Sequence, residues 1–189
     1  MVADVGTPLD EEQRLVWSYT PLEGVGPLRF GMTPDQARAA VDGVLEADAT
    51  RRRAGDEEWT EFWLRHRPHV GFYGAAVTAY FSRSAGLAGI ALDALRGPQA
   101  IWEGTRLVGR APSPLEAWFT DRLAAREAGA RYSMCADPCS TRHGLVLRVQ
   151  RTGVGPLSRP VMVAETWADG CWDVIGGGIP RREWRIPGR

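Results

Sequence analysis

Two short stretches of this sequence share one construction, and they restrict the possible fold more than any other feature. In the first, Leu28-Arg-Phe-Gly leads into Met-Thr-Pro-Asp-Gln36, and in the second, Arg106-Leu-Val-Gly leads into Arg-Ala-Pro-Ser-Pro-Leu-Glu116. Each has a short strand pattern, then a glycine that lets the chain turn. A Ser or Thr then stands three residues before a Gln or Glu, with Pro next to it, which is a capping box at a helix start. We therefore predict two strand–glycine–helix units.

Both predicted helices carry an apolar stripe at helical spacing. The first is expected to begin after Thr33 and to run to about residue 47, and the second is expected to be capped by Ser113 and to end near Gly129. The stripe residues are Ala37, Ala40, Val41, Val44 and Leu45 in the first helix, and Leu115, Trp118, Phe119 and Leu123 in the second.

Runs of β-branched and aromatic residues, separated by Gly and Ser, predict antiparallel strands. These runs are 61–67, 70–73, 77–82 and 87–92, followed by 145–150 and 161–167, while 49–58 and 152–160 are expected to be loops. We expect an α+β fold in one domain, residues 1–189. Two helix-plus-antiparallel-strand units, about 20–95 and about 100–170, would share one sheet with both helices packed on one face. Residues 174–189 are expected to form an irregular tail.

The charge balance excludes some functions. The chain of 189 residues has 23 basic and 23 acidic side chains, and every basic one is Arg. A net charge of zero argues against non-specific nucleic-acid binding, and the absence of Lys excludes a Walker A loop. No apolar run is long enough to span a membrane, and the first residues lack the apolar core of a secretion signal. We therefore predict a cytoplasmic protein without membrane or nucleic-acid partners. The sequence predicts no particular oligomeric state.

The stretch Gly24-Val-Gly-Pro-Leu-Arg-Phe-Gly-Met-Thr33 resembles a signature, G-x-G-P-[IL]-x-F-G-M-[ST], found in many small uncharacterised bacterial proteins. Gly104–Gly109 and His143–Arg148 resemble later features of that family, so the resemblance covers roughly residues 20–167. The Gly-Met-Thr lead-in to the helix is also similar to that of SmpA/OmlA-type lipoproteins and β-lactamase-inhibitor-like domains, which bind proteins. The resemblance implies a non-catalytic binding or immunity-like domain and carries over no catalytic residue.

Cys135, Cys139, His143 and Cys171 form the most suggestive set of reactive residues. Four such ligands could hold a tetrahedral zinc ion, although the C-x₃-C-x₃-H spacing matches no established zinc finger. Cys139 with His143 could instead be a thiolate–imidazolium pair. The alternative that we favour is reduced, structural cysteine, since three cysteines without a secretion signal do not predict a disulfide framework. We commit to no catalytic residue, metal or other cofactor.

Two further groups of residues remain open. His66 and His69 are interpreted as histidines of an exposed loop or strand, because Pro68 prevents the helix that would align them. Trp59 and Trp63 are four residues apart and share a face on either a helix or a strand. They either pack in the core or form a recognition patch on an open sheet surface. From these features we expect a small binding protein that recognises another protein through its sheet, with a metal- or thiol-dependent enzyme at the Cys/His set as the alternative.

Overall fold

The computed structural model describes residues 7–47, 52–54, 57–64, 75–126 and 129–185. Within them the strands are β1 Val16–Thr20, β2 Gly24–Val25, β3 Leu28–Arg29, β4 Leu45–Ala47, β5 Arg52–Ala54, β6 Glu57–Leu64, β7 Val77–Ser82, β8 Gly86–Leu92, β9 Gln99–Trp102, β10 Thr105–Arg106, β11 Arg131–Tyr132, β12 Pro138–Ser140, β13 Leu145–Thr152 and β14 Gly155–Val163. The helices are α1 Pro34–Val41, α2 Pro112–Ala124, α3 Glu165–Ala168 and α4 Arg181–Trp184, with 3₁₀ turns at Glu11–Gln13 and Thr141–His143. No helix among the described residues is long and apolar enough to cross a membrane.

The α+β class is confirmed, but the strands divide over two sheets. The small sheet has the order β10-β9-β1-β2-β3. The large sheet has the order β11-β12-β13-β14-β8-β7-β6-β4, with β5 also paired to β6. The single shared sheet was the wrong expectation, because β1 pairs in parallel with β9 and so gathers the strands that precede each helix into a sheet of their own.

The two strand–glycine–helix units occupy equivalent places in this arrangement. β3, which leads into α1, and β10, which leads into α2, are the two edge strands of the small sheet. The two similar stretches of sequence therefore form the two opposite edges of the small sheet.

The start of α1 follows the sequence prediction. Gln36 donates its backbone N–H to the Thr33 hydroxyl and accepts a hydrogen bond from the Thr33 N–H, so the capping box is present. Gly31 has φ of +88°, which favours glycine, and its N–H donates to the Leu87 carbonyl of β8. This stretch is thus a joint that attaches the small sheet and α1 to the large sheet.

Both helices differ from their predicted bounds. α1 ends at Val41 because Gly43, with φ of +90°, turns the chain, and Leu45 begins β4. α2 begins at Pro112, and Ser113 makes no cap, so the predicted capping box at Ser113 is wrong. Ser158 binds both the backbone N–H and the carbonyl of Arg110, so a distant strand sets where α2 starts.

Two predicted loops contain strands. β5 lies within 49–58, and β14 takes up most of 152–160, where two glycines and two prolines had favoured a loop. Over 155–160, β14 pairs only with β13, and the Ser158 N–H points away from β13 to Arg110. Pro156 and Pro160 share that orientation by strand alternation, so their missing N–H groups remove no bond from the β13–β14 ladder. The predicted strand at 70–73 and the residues His66 and His69 lie outside the described residues.

Side chains alternate between two cores on opposite faces of the large sheet. The first core contains Ile90, Leu92, Leu145 and Leu147, whereas Ala91 and Val146 between them belong to the second core. Both α1 and α2 bury their apolar stripes in the first core, together with the small sheet, so the prediction that the helices share one face is confirmed. Burial on both faces explains why GLAGIAL reads as an unbroken apolar run.

Candidate functional site

The second face of the large sheet is covered by residues 164–185, which we call the C-terminal cover. Its buried members are Ala164, Ala168, Cys171, Ile179, Pro180, Glu183 and Trp184. Much of this segment had been expected to be an irregular tail, and regular structure in it is indeed limited to the short helices α3 and α4. The cover is nevertheless part of the second core, because its apolar side chains lie among those of the sheet.

Trp167 fixes the middle of the cover against the sheet. A Cβ atom on Gly89 would lie 2.9 Å from the Trp167 ring, and one on Gly178 would lie 2.3 Å from it. The indole therefore lies between β8 and the Gly176–Gly178 turn. Only glycine leaves room for this contact on either side.

A buried ion network, made of Asp93, Asp137, Arg148, Arg159 and Glu183, holds the end of the cover. Glu183 is fully buried and accepts hydrogen bonds from Arg159 at 2.7 and 3.0 Å and from the Tyr80 hydroxyl at 2.6 Å. Arg148 donates to the carbonyl oxygen of Glu183 and lies 3.4 Å from its carboxylate. The Arg148 guanidinium also lies 3.5 Å from Asp137, and that of Arg159 lies 3.6 Å from Asp93.

The electrostatics of this network favour its charged form. Burial by itself raises the pKa of Glu183, but Arg159 and Arg148 more than offset it and lower that pKa to about 2. Burial and the Glu183 carboxylate raise the pKa of Tyr80, so its hydroxyl stays protonated and donates a hydrogen bond to Glu183. Since both Glu183 oxygens are occupied by donors from the sheet, the network attaches α4 to the sheet.

A solvent-open cleft of about 360 Å³ lies where the cover meets the end of β7. We call it the C-terminal cleft. Its lining residues are Phe81, Ser82, Arg83, Trp167, Val174, Ile175, Gly177, Gly178, Ile179, Pro180 and Arg181. Apolar side chains dominate, while Arg83 and Arg181 bring positive charge and Ile175 is 68 % exposed. The volume is at the lower end of the range for ligand pockets.

The structure separates the four residues of the predicted Cys/His set. Cys139 and Cys171 are buried and belong to the second core, and they are neighbours there, since Arg131 pairs with Cys139 in register and stacks on Trp172, the residue after Cys171. Cys135 is exposed in the turn before β12. His143 accepts or donates one hydrogen bond with the Ser140 hydroxyl at 2.8 Å, and its ring lies 4.9 Å from that of Trp102 in the first core. Among the described residues, no three His, Cys, Asp or Glu side chains are placed to hold a metal ion.

Trp59 and Trp63 lie on the same face of β6, as their spacing predicts, but in different surroundings. Trp59 is 9 % exposed, and the Arg182 guanidinium of α4 lies 4.1 Å from its ring centre. Arg182 also pairs with Glu61, the residue between the two tryptophans on that face, at 3.0 Å. Trp63 is only partly buried. The structure thus places Trp59 in the second core under the cover, which is the core-packing alternative.

Sequence reasoning missed the buried ion network and the cleft. A signal for the network was present, because Arg148 interrupts the apolar run of β13 and Arg159 precedes the apolar run of β14. A buried strand tolerates such a charge only with a partner. The partner, Glu183, could not be found because it lies in the segment expected to be irregular.

No family model matches this chain, and no curated protein or solved structure matches it either. The resemblance of Gly24–Thr33 to small bacterial proteins therefore stays a prediction, and the functional argument depends on the geometry described above.

Proposed function

We propose that this chain is a non-catalytic, immunity-like binding protein of the bacterial cytoplasm, and that it recognises another protein through the C-terminal cleft. The observation that supports the proposal is the combination of an apolar cleft floor with two arginines beside it. The sequence resemblance to protein-binding helix-plus-sheet domains points in the same direction. We propose the cleft, and not an open sheet surface, as the recognition site, because the C-terminal cover lies over Trp59.

The chemistry of the cleft defines its partner. Phe81, Trp167 and Ile179 offer an apolar floor, and Arg83 and Arg181 are both exposed. A bulky apolar side chain beside an acidic residue complements this arrangement. Ile175 lines the cleft and is largely exposed, so it extends the apolar contact area to the surrounding surface, which favours a polypeptide partner over a small molecule.

Random peptide display on the purified protein tests this proposal. We expect enrichment of peptides that carry an acidic residue next to a large apolar one. A synthetic peptide of the enriched sequence should bind at least tenfold more weakly to an Arg83→Glu/Arg181→Glu variant, because the charge beside the cleft is reversed. Binding is measured by fluorescence anisotropy of a labelled peptide.

Arg151→Glu provides the matched control. Arg151 is exposed and lies at the opposite end of the large sheet, since it pairs with Pro156 whereas the cleft lies beyond Gly86 and Ser82. The control should bind the peptide as the original protein does. Enriched peptides without acidic residues, or equal binding by all three proteins, would contradict the proposal.

The second candidate is a thiol- or zinc-dependent enzyme at the Cys/His set. The proximity of Cys139 to Cys171 favours thiol chemistry over a four-ligand metal site, because Cys135 is exposed in a turn and His143 lies against Trp102. Metal analysis of protein purified without added zinc distinguishes the two, and one zinc per chain would favour the metal-dependent enzyme.

A further inference from the structure

Cys139 and Cys171 form a buried pair at the boundary between the sheet and the C-terminal cover. Cys139 lies in β12, and Cys171 follows α3 in the cover. Both side chains are fully buried in the second core, and Arg131, the register partner of Cys139 in β11, lies 5.4 Å from the ring centre of Trp172, the residue after Cys171. The Cys139 sulfur is also 3.2 Å from the carbonyl oxygen of Asp137. The two thiols are therefore neighbours across a tertiary boundary, and a disulfide between them requires their Cβ atoms to approach to about 4 Å.

The two thiols differ in acidity. Interaction with the Cys171 thiol, together with burial and the nearby Asp137, raises the pKa of Cys139. The same interaction lowers the pKa of Cys171, against the effect of burial, with Arg131 contributing in the same direction. Cys171 is therefore the sulfur that more readily becomes a thiolate, the nucleophilic form.

We propose that Cys139 and Cys171 are a redox-active dithiol, which a low-molecular-weight disulfide converts reversibly into an intramolecular disulfide that fastens the C-terminal cover to β12. This site is separate from the cleft and does not depend on the proposed function. It assigns chemistry to two buried nucleophiles that the ion network and the cleft leave unused.

The reaction balances in two exchanges. The Cys171 thiolate attacks one sulfur of the small disulfide, forms a mixed disulfide and releases one small thiolate. Cys139 then loses its proton to the released thiolate and attacks the Cys171 sulfur, which expels the second small thiolate. The protein loses two electrons and two protons, and the small disulfide becomes two thiols.

Access to the pair requires a local opening. Because both sulfurs are fully buried, the reagent reaches Cys171 only when the cover lifts from β12. Cys135, which is exposed, should react first and without such opening. The test therefore uses a Cys135→Ser variant of the full chain, which leaves the buried pair as its only thiols.

The experiment equilibrates this variant in glutathione buffers of stepped ratio, both in native conditions and in unfolding urea. After acid quenching, we expect a native product two hydrogens lighter, in which tryptic peptides 132–142 and 152–181 are cross-linked. The ratio [GSH]²/[GSSG] at half-oxidation should be at least tenfold higher in native conditions than in urea, because the fold holds the sulfurs together. By linkage, the oxidised protein should then have the higher melting temperature.

A Cys135→Ser/Cys171→Ala variant is the matched control and should accumulate only a glutathione adduct at Cys139. An equal or lower half-oxidation ratio in native conditions would overturn the proposal, as would native protein that forms only mixed disulfides or keeps both thiols in every buffer. Each of those results would identify the pair as ordinary core packing.

Discussion

The two faces of the large sheet are covered in different ways. On the first face, α1, α2 and the small sheet bury a broad set of aliphatic and aromatic side chains. On the second face, a single segment of the chain is held by a smaller set of apolar side chains, Trp167 among them, and by the buried ion network. The first cover depends mainly on apolar area, which is non-directional, and the second combines less apolar area with a few directional contacts.

This difference has consequences for dynamics. Apolar area is lost gradually and over many residues, so the first core should open only when the protein unfolds as a whole. A short segment held by a smaller apolar core and a few directional contacts can open alone, at a lower free energy. The cleft and the dithiol both lie under or beside the C-terminal cover, so the functional proposals belong to the face that opens more easily.

The largest expected effect comes from Phe119→Ala in the first core. Phe119 is fully buried in α2, and its ring lies 6.1 Å from that of Trp102. The substitution leaves a cavity and should lower the free energy of unfolding by about 3–5 kcal/mol. Urea denaturation followed by circular dichroism measures this. Asp121→Ala, on the exposed side of α2, should change stability by under about 0.5 kcal/mol, and a loss below about 1 kcal/mol for Phe119→Ala would contradict the assignment of the first core.

The next effect is the pH dependence of the second face. The pKa of Glu183 is about 2 in the folded protein and 4.5 ordinarily. A lowered pKa gives stability that is complete above about pH 4.5 and is lost as the pH falls toward 2. The contribution is about 3 kcal/mol, at 1.36 kcal/mol for each unit of the shift.

Glu183→Gln isolates this contribution, since the amide does not titrate. The difference in unfolding free energy between the original protein and the variant should be large at pH 6 and should shrink between pH 4.5 and pH 3. A difference that stays constant over that range would mean that Glu183 does not act as a buried anion.

Sequence reasoning succeeded where local signals decide the structure. The Thr33 capping box and the buried stripe of Leu115, Phe119 and Leu123 both follow from spacing, because each depends on neighbours within a few residues. It failed where distant contacts decide, as at the start of α2, which Ser158 fixes, and at Pro156 and Pro160 in β14.

The candidate site was harder to predict than the fold. Nothing local connects Tyr80 with Glu183, which are 103 residues apart, or brings Cys171 to Cys139 while leaving Cys135 and His143 aside. The sequence offered four candidate residues but not which of them are neighbours in the fold. A buried arginine in a strand, such as Arg148, was the signal that a carboxylate elsewhere in the chain must be its charge partner.

A matched pair of tyrosines tests the central claim, that the C-terminal cover opens independently of the first core. The Tyr80 hydroxyl donates a hydrogen bond to Glu183 on the second face. The Tyr19 hydroxyl donates one to the carbonyl oxygen of Gly144, and Tyr19 belongs to the first core. Native-state hydrogen exchange is measured for Tyr80→Phe and Tyr19→Phe. Loss of the charged hydrogen bond, about 1.5–3 kcal/mol, predicts that Tyr80→Phe speeds exchange of the cover amides at least tenfold. Tyr19→Phe should speed exchange in α2 and leave the cover unchanged; faster exchange of the cover in Tyr19→Phe would contradict the account.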